Sequence, residues 1–63
     1  MEKDKALENI LDTLAEKSVK ASNHPMRKKY DTTAYALIRE LHNNKDKIKY
    51  WDSYYSSVKR NVL

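Results

Sequence analysis

Two histidines, five tyrosines, one tryptophan and thirteen lysines and arginines are the side chains of this 63-residue chain best suited to catalysis or recognition. His24 and His42 lie eighteen positions apart, and there is no cysteine to join them. A zinc site would therefore need carboxylate ligands at no recognisable spacing. Glu8, Asp12 and Glu16 recur every four residues and form an acidic ridge on a helix, with Lys5 and Lys20 near enough to answer part of the charge. Hard cations are usually held by oxygens gathered on a loop, so the ridge reads as a solvated face. No Ser-His-Asp arrangement is visible, and a chain this short has little room for a pocket of several hundred Å3. His24, directly before Pro25, suits a cap or a turn better than proton transfer. These residues predict no enzyme, no metal, no cofactor and no small-molecule substrate.

Recognition has more material. Four of the six aromatic residues fall within six positions, in Tyr50-Trp51-Asp52-Ser53-Tyr54-Tyr55. On a helical wheel centred on Trp51, Tyr55 and Val62, Tyr54 lies roughly 75° and Tyr50 roughly 115° from the inward direction. Trp51 and Tyr55 are expected inside and Tyr50 and Tyr54 at the edge, with Lys47 and Asn61 on the same side. Tyrosine has an apolar body and a polar tip, which suits a protein interface. The same edge could stack on unpaired bases.

Charge gives the rival surface. The formal net charge is +4. Residues 1–22 hold five acids and four bases, whereas residues 23–63 hold four acids and nine bases. Arg27, Lys28, Lys29, Tyr35, Arg39, Lys49, Lys59 and Arg60 are the residues that could meet an anionic partner such as DNA or RNA. Lys28, Tyr35, Arg39 and His42 fall within roughly 60° on the middle helix. The plainer reading of that stripe is a solvated face with an Asp31–Tyr35–Arg39 ladder. A helix-turn-helix match is poor, because the turn Asn43-Asn44-Lys45 has no glycine.

These side chains need positioning elements, and the composition leaves one kind. There is no glycine and only one proline, Pro25, so the usual punctuation of hairpins and phosphate loops is missing. Three helices are expected, over about 4–21, 25–43 and 45–61. Leu7, Ile10, Leu11, Leu14, Ser18 and Ala21 share a face of the first. Met26, Tyr30, Ala34, Leu37 and Leu41 repeat along the second, with Ile38 beside them. Ile48, Trp51, Tyr55, Val58 and Val62 mark the third. Ser22, Asn23 or His24 can cap the second helix with Pro25 in its first turn. Asp31-Thr32-Thr33 offers a later start, which would leave 25–31 as a bend. Asn43 and Asn44 read as a turn, because asparagine tolerates the left-handed conformation.

The fold class is therefore all-α, a single small domain closing as a three-helix bundle. Its thin core invites completion by a second copy or a partner. The alternative is a long helical hairpin that pairs into a four-helix dimer. Without a long apolar run or a signal-like start, neither a membrane span nor a signal peptide is expected. Together with the lack of cysteine, this suggests a cytoplasmic setting. The leading expectation is a non-enzymatic interaction module that regulates a protein partner, or pairs with its own copy, through Tyr50, Tyr54, Lys47 and Asn61. The rival is direct binding of DNA or RNA.

Overall fold

The structure, a computed structural model, describes residues 2–62, with side chains over 5–62. Three α-helices follow one another: α1 (Glu2–Lys20), α2 (His24–Leu41) and α3 (Lys45–Val62). They form a compact bundle of 33 × 18 × 15 Å with no strand among the described residues. The three-residue connections at 21–23 and 42–44 fold each helix back on its predecessor. α1 packs against both partners, and α2 and α3 meet each other less closely. The hairpin alternative is thus replaced by three separate helices. Their ends differ from the expected bounds by at most two residues.

The local signals explain the boundaries. Asn23 caps α2: its side-chain oxygen accepts from the Met26 backbone N–H at 3.0 Å, and Pro25 sits in the first turn. α2 then runs unbroken, so residues 25–31 are neither a bend nor a separate turn. Asn44 does something other than expected. Its side-chain oxygen accepts from the Asp46 and Lys47 backbone N–H groups at 2.8 and 3.2 Å. No non-glycine residue among the described ones has positive φ. Asn44 is a helix cap, not a left-handed turn, and capping satisfies donors that the first turn leaves orphaned.

The core is formed by Leu7, Leu11, Ala15, Ala34, Ile38, Trp51 and Tyr55, with Leu14, Leu37, Ile48 and Val58 packed against it. Three expected core residues are outside: Ile10, Met26 and Leu41 are 45%, 43% and 57% exposed. Ile10 points roughly 95° away from the mean direction of Leu7, Leu11, Ala15 and Ser18. Met26 and Leu41 sit in the first and last turns of α2, where fewer neighbours surround a side chain. Ala15, off the expected stripe, is fully buried, as is Ala34, which lies on it. A small side chain there lets helix backbones approach closely, which hydropathy alone does not signal. Trp51 is buried as expected, and the ring of His42, the residue that follows α2, lies parallel to it with centroids 6.3 Å apart.

One polar cluster ties all three helices together. The Asp31 side chain turns into the bundle instead of forming the outer ladder with Tyr35 and Arg39. One of its oxygens accepts from the Ser18 and Tyr55 hydroxyls, each at 2.8 Å. The other meets the Lys59 ammonium at 2.8 Å. Ser18 and Tyr55 are fully buried. Burial alone would push the Asp31 carboxyl up, but the hydrogen bonds from Lys59, Ser18 and Tyr55 outweigh it and hold it below its ordinary value.

Candidate functional site

The up-down-up order of the helices places the start of α1, the end of α2 and the start of α3 at one pole. The end of α1, the start of α2 and the end of α3 meet at the other. Each pole carries an open groove, so the surface holds more concave space than the chain length suggested.

The first is an aromatic groove of about 530 Å3, lined by Lys5, Glu8, His42, Asp46, Lys47, Tyr50 and Trp51. Trp51 forms its floor. Tyr50 stands at the lip, 63% exposed, with its ring edge-on to Trp51 at 5.2 Å. Tyr54 packs on Trp51 in the same way at 5.3 Å. It is half-buried, and its hydroxyl donates to Asp12 at 2.7 Å. Burial, then that hydrogen bond and the Asp12 charge, pushes the Tyr54 hydroxyl up to about 12. Tyr54 is thus first of all a strut between α3 and α1. Lys47 shares the groove with Tyr50. Asn61 does not, because eleven helical residues separate it from Tyr50, about 16 Å along the axis. The sequence pattern gave no sign of Lys5, Glu8 and Asp46, since they reach the groove only through the packing of α1 on α3. The Nε2 atom of His42 is buried without a hydrogen-bond partner among the described residues.

The second groove, of about 390 Å3, is lined by Ser18, Val19, Arg27, Ser56, Lys59 and Arg60. Around it lie Lys17 and Lys20 from the last turn of α1, and Lys28 and Lys29 from the start of α2. This pole holds seven cations against two carboxylates, Glu16 and Asp31, which leaves six against seven in the rest of the chain. The net charge of +4 is therefore concentrated at one end. Summing charge along the sequence blurs this; summing it by pole requires the helix directions.

The residues expected to meet nucleic acid do not form one face. Arg27, Lys28, Lys29, Lys59 and Arg60 gather at the basic pole. Tyr35 is instead half-buried, edge-on to Tyr55 at 5.5 Å. Arg39 pairs with Asp52 at 3.3 Å and also donates to the Tyr35 carbonyl at 3.2 Å. Lys49 is exposed near the start of α3, towards the opposite pole.

His24 and His42 sit at opposite ends of α2, about 27 Å apart at 1.5 Å per residue, so no site joins them. No group of three or more potential metal ligands occurs among the described residues. No helix among them is long and apolar enough to cross a membrane. Comparison with protein-family models, with curated proteins and with solved structures gives no match.

Proposed function

We propose that this chain is a non-enzymatic docking module that regulates a protein partner by binding it at the aromatic pole. The observation that carries this reading is Tyr50, exposed yet held edge-on against the buried Trp51 at the lip of a groove. An aromatic side chain already fixed by a neighbour loses little freedom on binding. Tyrosine and tryptophan are also the residue types that concentrate interface energy. The groove has an apolar floor, and its rim carries both signs of charge, Lys5 and Lys47 against Glu8 and Asp46. That pattern fits a protein segment inserting an apolar side chain between polar flanks. The two carboxylates would repel a phosphate backbone here.

Tyr54, tied to Asp12, supports the site from beneath, and Asn61 is left out of it. A second copy of the chain is one candidate partner; sedimentation at tens of micromolar distinguishes it from a different protein.

The test is affinity capture from nuclease-treated extract of the native host. Wild-type chain is compared with Tyr50→Ser and with an Arg27→Gln/Arg60→Gln variant changed only at the far pole. A protein retained by the wild type and the far-pole variant, but lost with Tyr50→Ser, is the expected result. Identical capture by all three variants would remove the aromatic pole from consideration.

A further inference from the structure

The geometry points to a second binding surface: the basic pole docks the phosphate backbone of a nucleic acid, with Arg27 and Arg60 at its centre. It stands independently of the protein contact at the other end.

The placement of the cations is the first argument. Lysines near the ends of α1 and α3 have a structural reason, because they complement the negative ends of those helices. Arg27, Lys28 and Lys29 have none. They occupy the start of α2, where the helix dipole is positive, and no acidic residue stands in that first turn. Arg27, in the first turn, opposes the dipole, and Lys28 and Lys29 follow it directly. A sequence shaped by folding alone would place carboxylates at such a position. Departures of this kind are expected where a surface serves a ligand.

The second argument is which charges remain available. Lys59 is committed to Asp31 and Lys20 to Glu16. Arg27, Lys28, Lys29, Arg60 and Lys17 take part in no ion pair among the described residues. Arg27 and Arg60 line the same groove, and Ser56 in its lining offers a further hydrogen-bonding group. Guanidinium groups match phosphate oxygens in a two-pronged geometry.

The third is the occupant. The cations are spread over the end of a bundle 18 × 15 Å in cross-section. At 3.4 Å per nucleotide step, that end spans roughly five phosphates of one strand. A single small anion would leave most of these charges unanswered. Apart from the half-buried Tyr30, the aromatic side chains lie in the middle of the bundle or at the other pole. Tyr30 alone could meet a base, so recognition rests on backbone charge and is largely independent of sequence.

The experiment is fluorescence anisotropy with a labelled 20-base-pair DNA duplex, titrated with the full chain from 50 to 300 mM KCl. Arg27→Gln/Arg60→Gln and Lys28→Gln/Lys29→Gln are compared with Lys45→Gln/Lys49→Gln, which removes the same total charge at the opposite pole. All six positions are exposed, and circular dichroism confirms that each variant folds. The expected log–log salt slope of the parent is about −3.6 to −4.5, from four or five phosphate contacts at about 0.9 each. Each basic-pole pair should reduce the slope by about two and weaken binding at 50 mM salt tenfold or more. The Lys45/Lys49 variant should change affinity less than about threefold, the residue of a weaker overall field. The inference is overturned if the Lys45/Lys49 variant loses as much as the other pairs, since diffuse net charge then explains the binding. It is equally overturned if no binding appears at 50 mM salt. It is overturned too if poly-L-glutamate competes as well per charge as unlabelled duplex, which would make the occupant an acidic protein.

Discussion

Replacing Asp31 tests the cluster that joins the three helices. Its two oxygens do different work. One accepts from Ser18 and Tyr55, both fully buried; the other meets Lys59, whose side chain keeps 28% of its surface exposed. Asp31→Ala strips the acceptor from two buried hydroxyls, and a buried donor left unmade costs about 1–3 kcal/mol. Lys59 can turn to water, so its lost pair adds at most about 1 kcal/mol. Water entering the vacated space recovers part of the deficit, and the expected cost is about 2–4 kcal/mol. Asp31→Asn keeps a carbonyl oxygen for Ser18 and Tyr55 but turns an amide N–H2 toward Lys59, which swings out to water with the loss of its pair, about 1 kcal/mol. A domain of 63 residues has roughly 3–9 kcal/mol in total, so Asp31→Ala brings it close to unfolding while Asp31→Asn does not. Urea titrations followed by the fluorescence of Trp51, the single tryptophan, give both values. The reasoning is refuted if Asp31→Asn costs as much as Asp31→Ala, or if Asp31→Ala falls within about 0.5 kcal/mol of the parent.

Three further outcomes follow from the same packing. Trp51→Ala should cost about 3–5 kcal/mol, enough to abolish the cooperative thermal transition seen by circular dichroism; a melt within a few degrees of the parent contradicts its place in the core. Asp31 is held below its ordinary value, so its contribution is complete above about pH 4, its unfolded range, and is lost as pH falls through the folded value. Tyr54 and Tyr55 are shifted the other way, by burial first and then by Asp12 and Asp31. Their contribution is complete below about pH 10, the unfolded tyrosine value, and Tyr54's is lost as pH rises through about 12. Tyr54→Phe should therefore flatten the alkaline side of the stability profile, and Asp31→Asn the acid side. Sedimentation at tens of micromolar should show whether two copies pair; a species of 7.5 kDa at every concentration assigns the aromatic pole to a different protein.

The helices were legible in the sequence because apolar spacing and the absence of glycine mark all three, and Asn23 with Pro25 signals the start of α2. Those signals are local, and local signals place helix ends well. What they did not reveal is what the helices place side by side. Ala15 lies off the apolar stripe read from the sequence, yet it is fully buried. Its importance comes from backbone approach, which depends on the neighbouring helix. Asp31 looked like a helix start or an exposed rung. Its role is visible only once Ser18 and Tyr55, thirteen and twenty-four positions away, are brought to the same oxygen.

The candidate surfaces divide in the same way. The edge position of Tyr50 followed from helical angle alone, and the residue is exposed at the aromatic pole as expected. Asn61 shared its side of the wheel, but a wheel discards distance along the axis, and the two end up about 16 Å apart. The basic residues show the converse error. Arg39 and Lys28 align on the wheel, yet Arg39 is drawn to Asp52 on α3 while Lys28 stays at the far pole. Arg27 and Arg60 are thirty-three positions apart in the chain and line the same groove. Charge that looks mildly uneven along the chain becomes sharply segregated once the helices alternate in direction. A short antiparallel bundle therefore offers two poles of different character, and a chain this small can hold a protein contact at one and an anionic partner at the other without the two competing for the same surface.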